Sequence, residues 1–255
     1  MKKSNRIVVI TGASSGIGLA TRQFFESRGD IVIDFSLSTG VDVTDVEKVT
    51  KAFAKVHAEH GRIDVLINNA GFGISGASEN TTQESIKKIF DVNFVGLANC
   101  CNAVLPFMRE QKSGKIINIS SVSAVFPLHF QSFYSATKAA VTNYTSALRR
   151  EVFPFGIRVC SVLPGDVNTG FVSARVKNKN DDPVYEKARD RAITKYERDE
   201  HKGAKPEWIA KKLYKVSSKK NPKPYIVLGF SYKCLVFLNG LLPNRFVNWL
   251  VHKNY

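Results

Sequence analysis

A tyrosine and a lysine stand four residues apart in the stretch "YSATKAAVTNY", as Tyr134 and Lys138. On a helix, side chains at this spacing are neighbours, with Cβ atoms about 5–6 Å apart. A lysine this close favours the ionised phenol and lowers the pKa of the tyrosine from about 10. Such a tyrosine can exchange a proton with a substrate oxygen near neutral pH. The alternative is an ordinary helix with two polar residues facing water.

A glycine-rich loop near the N-terminus indicates a second kind of chemistry. It reads "TGASSGIG" from Thr11 to Gly18, between a predicted strand and a predicted helix. Glycines there allow a tight turn and a close approach of the backbone to a pyrophosphate, which the helix N-terminus then stabilises. A purely structural turn is the alternative. The candidate cofactor-binding residues of this loop are Gly12, Ser14, Ser15, Gly16, Ile17 and Gly18.

Short apolar runs rich in β-branched residues alternate with helix-length segments along the chain. Strands are predicted at 6–10, 31–36, 63–71, 114–121, 156–165 and 225–228, and helices from the glycine loop to Arg28 and over 45–60, 82–110 and 134–153. The alternation predicts an α/β protein with a single Rossmann-type, doubly wound parallel sheet and helices on both faces. Such a sheet gathers its strand ends and ligand-binding groups at one edge.

We expect one domain over residues 1–255. Residues 171–205 are polar and lack a strand pattern, which predicts a mobile loop-helix excursion over the site. Residues 229–255 form an apolar tail whose uninterrupted pieces are too short to span a bilayer, which needs about 20 residues. Three roles stay open for this tail: a cap over a hydrophobic substrate, a subunit contact, or a helix on a membrane surface. A peripheral membrane contact ranks last.

The composition of the chain limits the cellular compartments and the classes of partner that we expect for the protein. The chain has 255 residues, four cysteines without metal-binding or disulfide spacing, and an N-terminal apolar run too short for a signal-peptide core. We therefore expect a cytoplasmic protein without a metal site. The net charge is +15, but no nucleic-acid motif accompanies it, so a solvated basic surface is the favoured interpretation and no nucleic-acid partner is expected.

Further motifs follow these two in a fixed order. They are "NNAG" at 68–71, "VN" at 92–93, "YSATK" at 134–138 and "PGDVNT" at 164–169. With the glycine loop, these motifs make the chain resemble the short-chain dehydrogenase/reductase family from about residue 6 to 170.

The resemblance implies four catalytic residues. Tyr134 would be the general acid/base, and Lys138 would lower its pKa and bind the nicotinamide ribose. Ser121, thirteen residues before the tyrosine, would orient the substrate oxygen, although Ser120 and Ser123 are close neighbours. Asn93 would hold a water in a proton relay, or would simply be a buried helix residue paired to the backbone.

The resemblance also implies a nicotinamide cofactor and further residues that contact it. Alternatives remain for two of them, since Asp42 could cap a helix and Thr169 could be a loop hydroxyl without a ligand. The implied contacts, besides the loop and Tyr134 and Lys138, are Asp42, Val43, Asn69, Ala70, Gly71, Pro164, Gly165, Val167 and Thr169.

The chain departs from the family pattern between Ser36 and Asp42. Only five residues separate them, where the family has a helix and the start of another strand, so a helix there is expected to be missing or reduced to a turn. The family's NAD-selecting acid falls on Ser36, which favours NADP over NAD. An arginine that NADP-dependent members often carry next is Leu37 here. If the Asp34 carboxylate reached the ribose instead, NAD would be the preferred cofactor.

The substrate side is expected to be apolar. Phe126, Leu128 and Phe130 would form a wall, or the aromatic residues would equally be ordinary core. His129 and Gln131 could contact a polar group, although a surface or packing role is the favoured alternative for His129. With the tail, this favours a lipid-like or steroid-like substrate. The implied function is an NAD(P)-dependent oxidoreductase that interconverts a ketone or aldehyde and an alcohol, in a homodimer or homotetramer.

Two functions of other classes remain as alternatives. One is a catalytically idle nucleotide-binding sensor or scaffold, against which the four intact catalytic positions argue. The other is a basic protein that reuses the fold to bind a lipid surface or a nucleic acid.

Overall fold

A computed structural model describes residues 5–170, 175–177, 182–243, 245–247 and 249. Its centre is a six-stranded sheet in which every neighbouring pair is parallel, with the order β2-β1-β3-β5-β6-β8. Two further two-residue strands, β4 and β7, pair with each other. The strands are β1 Ile7–Thr11, β2 Ile31–Phe35, β3 Val65–Asn68, β4 Ile74–Ser75, β5 Gly114–Ile119, β6 Ile157–Leu163, β7 Val176–Lys177 and β8 Tyr225–Val227.

Helices cover both faces of this sheet. One hydrophobic cluster joins the sheet to α2, α4 and α5, and a second joins it to α1 and α7. The doubly wound α/β fold expected from the sequence is therefore confirmed. The helices are α1 Gly16–Glu26, α2 Val46–His60, α3 Gln83–Phe90, α4 Gly96–Glu110, α5 Ser132–Val152, α6 Pro183–His201, α7 Pro206–Ser217 and α8 Phe230–Asn239.

The apolar runs that signalled strands are buried because each central strand is covered on both faces. All five residues of β1 and all four of β3 are buried. Helix α2 begins at the N-cap Asp45, whose carboxylate accepts a hydrogen bond from Lys48 N at 3.0 Å, and ends at Gly61 with φ of 70°. Asp42 is thus not the cap of this helix.

The predicted helix over 82–110 is interrupted. Between α3 and α4 lies a π-helical turn, Asp91–Val95, in which one extra residue per turn changes the direction of the side chains. Within the described residues, Gln83–Glu110 is long and apolar enough to cross a bilayer by length and composition. Its buried residues include Leu97, Val104 and Met108, which belong to the core cluster beneath the sheet.

Two segments differ from the usual pattern. The stretch between β2 and α2 contains only a 3-10 turn, Leu37–Thr39, so the expected loss of a helix is confirmed. The excursion over 171–205 was expected to lack strands, but it contains β7, which pairs with β4, and then α6. A two-residue strand has too little sequence for an alternation pattern to appear. Residues 171–174 and 178–181 lie outside the described part of this excursion.

Candidate active site

A cavity of about 1460 Å³ opens where the sheet strands end, lined by the loops after β1, β2, β3, β5 and β6. Of the predicted site residues, only Gly18 and Asn93 do not line it. Those that do are Gly12, Ser14, Ser15, Gly16, Ile17, Ser36, Asp42, Val43, Asn69, Ala70, Gly71, Ser121, Tyr134, Lys138, Pro164, Gly165, Val167 and Thr169.

Tyr134 and Lys138 lie on the first two turns of α5 and share one face. Lys138 Nζ is 5.7 Å from the centroid of the Tyr134 ring. The same ammonium group donates a hydrogen bond to Ile119 O at 3.0 Å, at the end of β5. Lys138 is only 5% exposed, so the lysine is a buried part of the site and the pair does not simply face water.

Burial raises the pKa of Tyr134 to about 12, while a hydrogen bond with Ser121 acts in the opposite direction. The charges of Glu200 and Arg175 raise and lower this pKa, respectively. Burial also lowers the pKa of Lys138 to about 8. The expected pKa below 10 for Tyr134 is therefore not found in this arrangement, because the loss of hydration dominates.

Among three neighbouring serines, the structure favours Ser121 as the partner of Tyr134. Its hydroxyl hydrogen-bonds Tyr134 and also accepts a hydrogen bond from Ser123 N at 3.1 Å. Ser120 is occupied elsewhere, since its Oγ donates to Lys138 O at 2.9 Å and bonds the Thr142 hydroxyl at 2.7 Å. Ser120 thus fixes α5 against β5, and Ser121 faces the cavity.

Asn93 lies behind the cavity wall, in the π-helical turn. Its Oδ1 accepts a hydrogen bond from Phe72 N at 2.9 Å, and its Nδ2 donates to Phe72 O at 2.9 Å. The contacts are those of a buried residue paired to the backbone. A methyl group on Gly71 would lie 2.9 Å from Asn93 Oδ1 and 3.7 Å from Lys138 Nζ, so the glycine keeps the space between these two side chains open.

The glycine loop has the form that a pyrophosphate requires. Gly12 has φ of 65°, and a Cβ there would lie 3.0 Å from Ala70 Cα. At Gly18 a Cβ would lie 2.1 Å from Gly12 O, so Gly18 packs helix against turn and does not line the cavity. Asn69 Nδ2 donates to Thr11 O and Gly12 O, each at 3.1 Å, and holds the loop.

Helix α1 begins at this loop with its N-terminus toward the cavity. The N-cap Ser15 makes no side-chain cap bond, and the first turn contains no acidic residue. The amides of the first turn are therefore left to a ligand, and a helix N-terminus favours an anion. Together with the positive-φ glycines Gly12 and Gly16, this arrangement fits the diphosphate of a dinucleotide.

The adenosine end of the cavity is built from the short turn after β2. Ser36 is buried and starts the 3-10 turn, with its hydroxyl 2.8 Å from that of Ser38. Asp34 points away, because its carboxylate accepts from Ala13 N at 3.2 Å and lies 3.6 Å from Arg22 Nη1. The Asp42 carboxylate accepts bonds from the amide and hydroxyl of Thr44 at 2.9 and 2.8 Å.

The C-terminal tail forms the opposite wall. The Tyr232 ring packs on Gly165, where a Cβ would lie 2.0 Å from a ring carbon. Its hydroxyl donates to the Asp166 carboxylate and accepts a hydrogen bond from Asp166 N. The tail residues that line the cavity are Tyr232, Leu235, Leu238, Asn239, Leu242 and Val247. The first of the three roles considered for the tail, a cap, agrees with this placement.

The model of the short chain dehydrogenase family matches residues 35–180. The chain is 42% identical to a 3-ketodihydrosphingosine reductase of Bacteroides thetaiotaomicron over 85% of each protein. The chain belongs to the short-chain dehydrogenase family. A 3-oxoacyl-[acyl-carrier-protein] reductase of Thermotoga maritima is 31% identical, with 76% of this chain and 84% of that protein covered.

Solved structures agree with this assignment. A short-chain dehydrogenase from Streptomyces avermitilis superposes with a TM-score of 0.82 at 30% identity, over 93% of this chain and 94% of that one. Other structures of the same fold hold NAD or NADP. The chain is therefore an oxidoreductase of this family by sequence and by fold.

Sequence reasoning missed several residues of this short-chain dehydrogenase. Glu200 lines the cavity, and its carboxylate pairs with Arg175 Nη2 at 2.5 Å. No local motif marks either residue, because β7 and α6 bring them to the site from a segment with no strand signal. The substrate-side expectation was right for Phe126, Leu128 and Gln131, which line the cavity.

Phe130 and His129 take the packing alternative. Phe130 and His129 are not among the described lining residues. Phe130 packs edge-on against Tyr185, and the His129 carbonyl accepts a hydrogen bond from the Tyr196 hydroxyl at 3.1 Å. Both contacts are with α6.

Proposed function

We propose that the protein is an NADPH-dependent reductase that converts the ketone of a long-chain, lipid-like substrate to an alcohol. One observation supports this most directly. Ser121, Tyr134 and Lys138 meet in a cavity whose opposite wall is the apolar tail. The three polar side chains suit carbonyl chemistry, and the apolar tail opposite them suits an alkyl chain.

The chemistry that a bound nicotinamide dinucleotide supplies is hydride transfer to a carbonyl carbon. Ser121 would donate a hydrogen bond to the carbonyl oxygen and hold it beside Tyr134. Tyr134 would then give its proton to that oxygen. Since the pKa of Tyr134 is raised to about 12, the phenol keeps its proton through the neutral range and is available as the acid for reduction.

Lys138 and Asn93 would support this reaction by binding the cofactor and by positioning the backbone, respectively. The Lys138 ammonium lies within reach of the cavity and would bind the ribose hydroxyls of the cofactor. Asn93 would serve as a positioning residue, because it holds the backbone at Phe72 beside the open space at Gly71. A proton relay through that space is part of the proposal.

The preference for NADPH is supported by the two positions at the end of β2 that were considered for an NAD-selecting acid. Ser36 carries no charge, and Asp34 is held by Ala13 N and by Arg22. Neither position therefore presents a free carboxylate that would repel a 2′-phosphate. The basic net charge of the chain also favours the more anionic cofactor.

A lipid-like ketone is supported by the relatives and by the lining. The names of both relatives describe reduction of a 3-oxo group, in one on dihydrosphingosine, which is a lipid, and in the other on an acyl group. In this chain, Leu128 and the tail leucines give the cavity an apolar wall. Cytoplasmic location and self-association stay predictions.

The test is a reduction assay followed by NADPH absorbance with saturated 3-ketones of increasing chain length. We expect kcat/KM to rise with chain length, and Ser121→Ala to lower turnover about 10²-fold. Absence of turnover for every ketone would contradict the proposed reductase. A faster reaction with NADH than with NADPH would contradict the proposed cofactor.

A further inference from the structure

Helix α8 and the turn after it carry apolar side chains on two opposite faces. The inner face contributes to the active-site cavity through residues three or four apart in the chain, which are Tyr232, Leu235, Asn239 and Leu242. With 3.6 residues per turn, residues about half a turn away from these point in the opposite direction. We call this second set the outer face of α8, and it consists of Phe230, Cys234, Phe237 and Leu241.

The outer face is uncovered among the described residues. Phe230 is 84% exposed, Phe237 68% and Leu241 66%, and no residue of α8 is buried. A helix that is apolar all round is normally covered on every side, and a large exposed apolar patch marks a surface that binds a partner. The cap over the cavity uses only the inner face. The outer face therefore requires a partner of its own.

The chain around α8 is strongly basic. Residues 201–255 contain 11 lysines and arginines but a single acidic side chain, Glu207. Lys233 lies on α8 and Arg245 shortly after it, and both are exposed. Lys202, just after α6, lines a small second cavity together with the first turn of α8. An apolar surface bordered by positive charge is complementary to the anionic headgroups and acyl chains of a lipid surface.

Two other uses of the outer face fit less well. In a two-fold symmetric dimer the same surface meets itself, so the basic residues around one α8 would face those around the other. Like charges brought together in this way oppose association. Helix α8 has ten residues, whereas a helix that spans a bilayer needs about 20. A helix of this kind can instead lie in the plane of a membrane surface.

The outer face is continuous with the rim of the active-site cavity. Leu235 and Leu238 line the cavity, yet they are 48% and 44% exposed. These two leucines therefore stand where the cavity opens, between the inner and outer faces of α8. A surface that held the outer face would also lie beside this opening.

We propose that the outer face of α8 docks the protein on an anionic lipid surface. Phe230, Phe237 and Leu241 enter the boundary between the headgroups and the acyl chains, and Lys233 and Arg245 attract the headgroups. The rim of the active-site cavity then lies next to the lipid. This inference goes beyond the proposed reductase, because docking requires neither a cofactor nor a ketone.

The test is flotation of the protein with vesicles of phosphatidylcholine alone or of phosphatidylcholine mixed with phosphatidylglycerol. We expect the wild-type protein to bind the mixed vesicles at least about 10-fold more tightly, since each basic residue near an anionic surface contributes about 5-fold. High salt should weaken this binding. The double variant Phe230→Ser and Leu241→Ser should bind the mixed vesicles about 30-fold more weakly or worse, because two large apolar side chains no longer enter the lipid.

The matched control is the double variant Leu37→Ser and Phe155→Ser. It changes the same two residue types, at positions that are 77% and 44% exposed. Leu37 follows β2, at the opposite edge of the sheet from β8. Phe155 precedes β6 and so lies at the amino ends of the parallel strands, whereas α8 follows the carboxyl end of β8. Vesicle binding should stay at the wild-type value.

A further measurement needs no variant. Cys234 on the outer face is exposed, whereas the other three cysteines, Cys100, Cys101 and Cys160, are buried. A thiol-reactive dye whose emission depends on polarity therefore reports on this face in the wild-type protein. Its emission should shift to the blue when mixed vesicles are added, and it should stay unchanged with phosphatidylcholine vesicles.

Four outcomes would overturn the proposal. The wild-type protein could stay off both kinds of vesicle, or bind both equally. The double variant on α8 could bind as tightly as the wild type. The protein could float while the dye on Cys234 does not respond, which would assign binding to another surface. Light scattering could instead show a wild-type dimer that the α8 variant dissociates, without vesicle binding, which would assign the outer face to a second copy. Each of these outcomes leaves the proposed reductase standing, because ketone reduction is assayed without vesicles.

Discussion

The two walls of the active-site cavity are built in different ways. The sheet-edge wall, which carries Ser121, Tyr134 and Lys138, is held by hydrogen bonds to β5 and its neighbours. The tail wall, which helix α8 and the residues after it form, is held by packing on Gly165 and by the bond between Tyr232 and Asp166. One wall fixes the positions of reacting groups, and the other offers an apolar surface.

The degree of burial follows this division. Lys138 is 5% exposed, whereas Leu235 of the tail wall is 48% exposed although it also lines the cavity. A change in the sheet-edge wall should therefore affect every substrate alike. A change in the tail wall should lower kcat/KM more for substrates with longer alkyl chains, because the free energy of apolar contact scales with buried area.

The sharpest test of the sheet-edge wall is Tyr134→Phe. The variant keeps the ring but removes the only phenol that the structure places beside Ser121 in the described cavity. We expect kcat to fall about 10³-fold or more, for short and long ketones alike, since general acid catalysis contributes about 10²- to 10⁴-fold. Binding of NADPH, measured by nicotinamide fluorescence, should change by no more than a few fold.

The matched control for this prediction is Tyr144→Phe on the same helix. Tyr144 packs edge-on against Phe94 and is not among the described residues that line the cavity. It should keep turnover close to that of the wild type. Near-normal turnover in Tyr134→Phe would remove the proposed acid and, with it, the assignment of this wall.

The tail wall is tested by the pair Leu235→Ser and Leu238→Ser, introduced together. Both side chains line the cavity. We expect kcat/KM to fall about 30-fold for a long-chain ketone and to change little for a short one, since only the long chain loses apolar contact. Phe237→Ser is the control, because Phe237 is on the same helix, 68% exposed and not a described lining residue. Equal losses for short and long ketones would show that α8 does more than contact the chain.

The sequence could predict most of the sheet-edge wall because its residues follow strands directly. The glycine loop, "NNAG", Ser121 and "PGDVNT" come within a few residues of β1, β3, β5 and β6, so the parallel topology alone brings them together. The tail wall could not be placed in this way. An apolar segment suits a cap, a subunit contact or a membrane surface equally well until the packing of Tyr232 on Gly165 is known.

Two other features lay beyond sequence reasoning for physical reasons. The pKa of Tyr134 depends on burial more than on the spacing to Lys138, and burial is a property of the folded site. Glu200 meets Arg175 because β7 and α6 return over the cavity, through residues without a regular pattern. The missing helix after Ser36 was predictable, because the number of residues before Asp42 is too small to hold one.

A smaller effect is expected at the adenosine end of the cavity. Ser36→Asp places a carboxylate where the turn after β2 begins, and this charge would repel a 2′-phosphate and accept ribose hydroxyls. We expect the ratio of kcat/KM with NADPH to that with NADH to fall about 10-fold. The control is Ser36→Asn, which has nearly the size of aspartate without its charge, at the same position of the cavity. An unchanged ratio in Ser36→Asp would separate this position from cofactor choice.

The smallest expected effect is the pH dependence of the sheet-edge wall. Burial lowers the pKa of Lys138 to about 8 and raises that of Tyr134 to about 12. A lysine is charged below its pKa, so the ammonium is present at pH 7 and is lost as the pH rises through about 8. Tyr134 keeps its proton over that whole range. The rate of ketone reduction should therefore fall with rising pH, to about half near pH 8, because Lys138 and not Tyr134 titrates there.

The measurement is kcat/KM for reduction between pH 6 and 10, with NADPH below saturation so that cofactor binding contributes. In Lys138→Arg the guanidinium stays charged, so whatever activity remains should show no decline near pH 8. A wild-type decline that appears only near pH 10 would mean that Lys138 keeps its ordinary pKa. In that case water would reach Lys138 more than its hydrogen bonds indicate. The two walls would then differ in the kinds of side chain they carry and not in how deeply these are buried.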